Sequence, residues 1–313
     1  MIDQRFGTSS VLLYDPQSTL RHNTRVALLD LGFGEVEAVQ NWSEFLQMAE
    51  KNSYDLIVGD LVTREGSLEQ IIKRVRHNDL GSNPFVNIIV TLWHTTPESV
   101  NEGIQAGADD ILSRPMSANQ LSDRVHGLIT ARKPFIVTED YIGPDRRQIV
   151  RGLSQPGLMV VPNSLKAKVE NRPEFDATPE NIELALSAVK DRQVSILTEQ
   201  FLRLSTKVMG LGTELQDIDA RHEMIGHMIE MNNNLQKIVF GTEYAHIEAL
   251  ISAFDDVLSR IKASVKPLSE QDQELMFQIP FAIHTACKEV RHSASLAFDI
   301  EQVSQQLRGT GTS

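Results

Sequence analysis

Only one cysteine, Cys287, occurs in 313 residues, which excludes an internal disulfide and a thiolate metal cluster and fits a reducing compartment. Positive charge is also scarce: 30 Lys and Arg stand against 42 Asp and Glu, a net charge of −12. Nonspecific attraction to nucleic acid or to anionic membrane needs net positive surface, so both partners are disfavoured, and a DNA-binding output with them. No run of about 18 uninterrupted apolar residues is present that could span a bilayer. The opening stretch, residues 1–10, lacks the basic and apolar regions of a secretory signal. A cytoplasmic protein with no membrane and no nucleic-acid partner is expected. Signatures of an ATP site, a cyclic-dinucleotide site or a helix-turn-helix are missing too.

What is present is ordinary for folded protein, with 41% hydrophobic and 23% charged residues, over a length that accommodates about two domains. Between residues 11 and 130, short apolar runs alternate with helix-period segments. Val11 to Tyr14, Val36 to Val39, Leu56 to Val58, Val86 to Val90 and Ile111 to Leu112 are the candidate strands, and such alternation predicts a parallel sheet of five β/α units. From about 131 the spacing breaks down among Pro134, Pro144, Pro156, Pro162, Pro173 and Pro179, so 131–177 reads as a connector. Thr178 then Pro179 marks a helix start, with the hydroxyl as cap and proline at the first helical position.

The helical part, 178–308, carries two long apolar stripes. The first runs from Ile182 to Val208 and stops at Gly210 and Gly212; the second restarts at a Thr213/Gln216 capping box and continues to Ile261 before Pro267. A third helical stretch follows Ser269, and Pro280 is expected to kink or divide it. Three or four helices, as a bundle or coiled coil, result. His222, Asn232 and His246 interrupt the apolar stripe of 213–262. They either set register in a homodimer through that long helix or are exposed or bonded within the chain.

In an open parallel sheet, ligands gather beyond the carboxyl ends of the strands. Asp15, Asp60, Thr91 and Arg114 close the first, third, fourth and fifth strands. Converging carboxylates, a hydroxyl and a cation describe a magnesium-assisted phosphoryl site, where the protein's work is positioning and charge neutralisation. Taken singly, each residue reads better as a strand end; the four together favour chemistry.

With these residues, Leu12-Leu13-Tyr14-Asp15, Ser18-Thr19-Leu20-Arg21, Leu31-Gly32-Phe33, Asp55 to Asp60, Thr91, and Ala106 to Asp110 leading to Arg114-Pro115, the segment 8–130 resembles a CheY-like receiver domain of bacterial response regulators. The resemblance implies a flavodoxin-like, doubly wound fold. It also implies a phosphoacceptor at Asp60, a metal-binding carboxylate at Asp15, a backbone carbonyl from Val62 to a Mg²⁺ ion, and a switch hydroxyl at Thr91. A histidine kinase or phosphotransfer protein would be the donor, and the chain no enzyme beyond its own phosphorylation and dephosphorylation. Three departures bear on the chemistry: Pro16 stands where the family has a second carboxylate, Arg114 where it has lysine, and Ile111 where it has an aromatic switch residue, with the segment after Thr91 one residue longer. A planar guanidinium is no simple replacement for an ammonium. Two readings stay open, a working receiver and a pseudo-receiver serving as scaffold or adaptor.

Weaker signals remain. Tyr141 to Arg147 reads as a turn around Pro144-Asp145, with Arg146 and Arg147 able to meet an acidic partner. His284 with Lys288 is similar to a histidine phosphotransfer pattern, although an ordinary helix-face histidine is the better reading. Glu230 and Asn233, three apart on one helical face, resemble the acid-and-amide pair of some phosphatases.

Overall fold

The computed structural model describes residues 4–62, 65–146, 157–211 and 215–309, with side chains to 290. The chain divides between Ser187 and Ala188 into two units.

In the first unit β1 (Ser10–Tyr14), β2 (Glu35–Val39), β3 (Leu56–Asp60), β4 (Asn87–Leu92) and β5 (Asp110–Ser113) form one parallel sheet in the order β2-β1-β3-β4-β5. The central strands β3 and β4 are buried throughout, as expected where helices cover both faces and the strands are apolar runs rather than alternating ones. One face packs on α2 (Trp42–Lys51) and α3 (Leu68–Arg76) through Phe45, Ile71 and Ile72. The other packs on α1 (Ser18–Leu31) and α5 (Ala118–Thr130) through Leu28, Leu121 and Val125. Local chemistry fixes the ends. Pro97 opens α4 (Pro97–Ala106) behind the Thr96 cap, and Gly107 closes it at φ 99°. Ser117 and Gln120 form a reciprocal capping box at the start of α5. The parallel sheet expected from the apolar pattern, and the flavodoxin-like order that the resemblance implies, are present.

The segment 131–177, read as a connector without a sustained period, carries its own elements. β6 (Phe135–Val137) and β7 (Ile142–Pro144) form an antiparallel pair, and Met159 bridges to Phe135. α6 (Ser164–Glu170) places Leu165 and Val169 in the core with α1 and α5. These strands are three residues long, too short to reveal a period.

α7 (Pro179–Met209) begins as anticipated, with Thr178 Oγ1 accepting from the Asn181 amide at 3.2 Å. In the second unit the span 213–262 is not one helix. α8 (Leu215–Val239) and α9 (Glu248–Lys262) are separated by a turn with Gly241 at φ 69°. The apolar stripe closes an internal core: Ile225, Met228, Leu235 and Val239 pack with Phe254, Val257 and Ile261, and Phe201 meets Phe254 edge to face at 5.2 Å. Its polar members are bonded within the chain. Asn232 Nδ2 donates to the Ile251 carbonyl at 3.0 Å, and the His222 ring lies 3.2 Å from the Ser264 carbonyl oxygen. Thr213, half of the expected capping box, and Gly212 lie outside the described residues. α10 (Glu270–Gly309) is not divided at Pro280. Met276, Ile279, Ile283 and Cys287 bury around it, and that packing offsets the one backbone bond proline removes.

Candidate functional site

The sheet register sets the site, because β1, β3, β4 and β5 end at one edge. Asp60 is the last residue of β3 and pairs in register with Thr91 of β4, while Arg114 follows β5 and Asp15 follows β1. All four are buried, Asp60 to 6% exposure and Thr91 to zero. Thr91 Oγ1 donates to Asp60 Oδ1 at 3.4 Å and accepts from Arg114 Nε at 3.0 Å. Arg114 Nη2 lies 2.8 Å from Asp15 Oδ2. That last contact is an ion pair without an aligned hydrogen bond, since neither atom has a hydrogen-bond partner. The guanidinium thus links Asp15 to Thr91, which in turn donates to Asp60.

Asp15 is held by its neighbours. Its Oδ1 accepts from the Gln17 amide at 2.8 Å, and Arg21 Nη1 donates to its carbonyl at 2.8 Å. Burial pushes the Asp60 carboxyl above the usual range, opposed by Arg114 and reinforced by Asp15, with Thr91 and Trp93 pulling it down through hydrogen bonds. Trp93, two residues past Thr91, covers the arginine with 5.7 Å between guanidinium carbon and ring centre. Its place in the site had no signal in the sequence beyond that proximity. Val62 lies just past β3, 65% exposed, and forms an isolated bridge with Ser67.

Receiver domains bind Mg²⁺ for phosphorylation, and the donors here can be tested against that ion. Pro16 supplies no carboxylate. Both oxygens of Asp15 are engaged, one by a backbone amide and the other by a cation. Among the described residues no group of three or more His, Cys, Asp or Glu could hold a metal. Mg²⁺ demands near-ideal octahedral oxygen ligation, and this donor set as it stands does not fit it.

A second constellation occupies the opposite edge of the sheet, at the amino ends of the strands. Asp109, just before β5, accepts from Arg76 Nη2, Arg132 Nε and the Ile88 amide, each at 2.8 Å. Both guanidinium groups also lie against the Phe135 ring at 5.1 Å. Burial pushes the Asp109 carboxyl up, but Arg132 and Arg76 outweigh it and hold the group below the usual range. Arg146 Nη2 donates to the carbonyls of Ala108 and Asp109; Arg147 lies outside the described residues. Lys168 Nζ to Asp55 at 2.7 Å and Asn163 Oδ1 to Asn87 Nδ2 at 3.0 Å tie α6 to the same edge.

In the helical unit the weaker candidates are dispersed. Glu230 and Asn233 are exposed on α8. His284 Nδ1 lies 3.3 Å from the Thr198 hydroxyl, which is fully buried. No described helix is long and apolar enough to cross a membrane.

Comparison with known proteins agrees with the sheet. Residues 11–126 match the family described as the response regulator receiver domain. The transcriptional regulatory protein TrcR of Mycobacterium tuberculosis is 30% identical over 122 residues, which are 38% of this chain and 44% of TrcR. The chain therefore spans less than half of that relative. The response regulator ArlR of Staphylococcus saprophyticus is 27% identical over 172 residues, 55% of this chain and 67% of ArlR. Among solved structures, the chemotaxis protein CheY4 of Vibrio cholerae is 27% identical, with a TM-score of 0.35, over 38% of this chain and 97% of CheY4.

Proposed function

With residues 11–126 a response regulator receiver domain, we propose that the chain is a two-component response regulator that accepts a phosphoryl group on Asp60 and signals through protein contacts of its helical region. The observation that carries this reading is the joining of Asp60, Thr91 and Arg114 in one buried hydrogen-bonded chain at the carboxyl edge of the sheet. A carboxylate oxygen of Asp60 attacks the phosphorus of a phosphohistidine on a histidine kinase or phosphotransfer protein. The P–N bond breaks, its electron pair leaves with the imidazole, and an acyl phosphate forms on Asp60. Thr91 and Arg114 supply donors to the phosphoryl oxygens, so the protein's share is orientation and charge stabilisation. The product adds negative charge beside a cation, a local event that biases one of two receiver conformations.

No enzymatic activity beyond phosphorylation and dephosphorylation of the receiver itself is proposed, and the setting is the cytoplasm. The net charge of −12 argues for a protein partner rather than nucleic acid, although TrcR is by its name a transcriptional regulator. A second reading, a scaffold whose receiver is never phosphorylated, draws support from Pro16 and from the Arg114–Asp15 pair. Incubation of the full chain with acetyl phosphate, with and without Mg²⁺, followed by intact mass, decides between them. One phosphoryl increment, absent in Asp60→Asn, is the expected result. No increment under either condition would leave the scaffold.

A further inference from the structure

We propose that the Arg114 guanidinium is the resident cation of the Asp60 site, so that the site takes a phosphoryl group, or an anion of that shape, without a divalent metal. This rests on the phosphoacceptor reading of Asp60 and goes beyond it to the source of positive charge.

Three observations converge. First, the donors a metal would need are reduced and engaged: residue 16 is proline, Asp15 Oδ1 holds the Gln17 amide, and Asp15 Oδ2 has the guanidinium at 2.8 Å. Two carboxylates and one guanidinium leave one net negative charge, where a further carboxylate at residue 16 would leave two; a divalent ion is drawn correspondingly less. Second, the arginine is fixed on two sides. Nε is bonded to Thr91 Oγ1 at 3.0 Å, and the Trp93 ring lies over the guanidinium carbon at 5.7 Å. Admitting a metal beside Asp15 would require breaking this arrangement or placing like charges in contact. Third, Arg114 Nη2 is buried and makes no hydrogen bond. Its 2.8 Å contact with Asp15 Oδ2 is an ion pair without hydrogen-bond alignment, so an oxyanion on Asp60 would offer the guanidinium an aligned acceptor. The planar fork suits two oxygens of a tetrahedral anion in a way an ammonium does not.

The test uses the full chain and two readouts. Mn²⁺ binding without any phosphodonor is counted from the electron paramagnetic resonance of free Mn²⁺. Beryllofluoride, a mimic of the phosphoryl group, is titrated in EDTA and in Mg²⁺ while tryptophan emission is followed, Trp93 being the reporter next to Arg114. The expected result is no Mn²⁺ bound in a manner that depends on Asp60, and a saturable response of equal apparent affinity in EDTA and in Mg²⁺. Arg114→Gln should lose the response in EDTA. The double change Pro16→Asp with Arg114→Lys, which preserves a cation and restores a carboxylate, should gain Mn²⁺ binding and make the response require metal. Wild-type Mn²⁺ binding abolished by Asp60→Asn, or a response seen only with Mg²⁺, would overturn the inference and leave the phosphoacceptor reading standing. Absence of any beryllofluoride response in both conditions would sink the two together.

Discussion

Replacing Asp109 with Asn leaves two buried guanidinium groups without the carboxylate they share. Arg76 and Asp109 side chains are each 1% exposed and Arg132 is 7% exposed, so water does little to screen the change. Asn keeps one acceptor oxygen for three donors and removes the charge that offsets two cations. Breaking a buried pair by removing one partner costs about 3–5 kcal/mol. With a urea m-value of about 2 kcal/mol/M, the midpoint should fall by about 1.5–2.5 M. The assay can be made specific to one unit. Both tryptophans, Trp42 and Trp93, lie in the first unit, so tryptophan emission in urea reports its unfolding without interference from the helices. Lys168→Met is the control. It breaks the ion pair with Asp55, but Lys168 is 34% exposed and Asp55 Oδ2 retains the Ser10 amide at 2.8 Å, so its cost is about 1 kcal/mol or less. The pH dependence supplies a further check. A carboxyl held below its unfolded value contributes stability that is present above about pH 3.9 and lost as pH falls through the folded value. The gap between wild type and Asp109→Asn should therefore persist down to about pH 4 and close below it. A midpoint loss for Asp109→Asn no greater than that for Lys168→Met would refute the reasoning.

Two other outcomes follow from the first unit. Asp60→Asn should stabilise it at neutral pH, because burial raises the folded pKa of Asp60. The folded state then binds more protons from about pH 3.9 up to that raised value, and stability falls as pH rises through the window. Urea midpoints should favour the variant at pH 7 and converge near pH 4; a less stable variant at pH 7 would contradict this. Gly34→Ala places a Cβ 2.0 Å from the Gly7 carbonyl oxygen, a backbone atom that cannot rotate aside. Such overpacking costs about 1–3 kcal/mol, read as a lower urea midpoint, and an unchanged midpoint would show that this turn yields freely.

The sheet was legible because its central strands are apolar runs and each strand is followed by a helical period, and Asp15, Asp60, Thr91 and Arg114 were legible because strand ends fall where those runs stop. What joined them was not. The Arg114–Asp15 contact follows from side-chain length across 99 positions of chain, which no local pattern encodes. The 131–177 stretch looked irregular because its elements are short and held by distant partners, such as Arg132 on Asp109 and Asn163 on Asn87. The α8–α9 turn was hidden for the opposite reason. Apolar spacing is regular on both sides of it, and Gly241 was its one marker, so a stripe that closes on itself looked like one continuous helix. At Pro280 the division expected as one outcome is not seen, and core side chains pack around the continuous helix.

The two polar constellations of the first unit sit at opposite ends of strands that span about 17 Å. Nothing in the hydrogen bonds of Asp60, Thr91 and Arg114 is shared with those of Asp109, Asp55 and Asn87. Substitutions in the carboxyl-edge cluster are thereby uncoupled from those in the cluster that anchors the following segment. Changes at positions such as 16 and 114 can therefore alter the carboxyl-edge cluster while the anchor of the following segment stays intact.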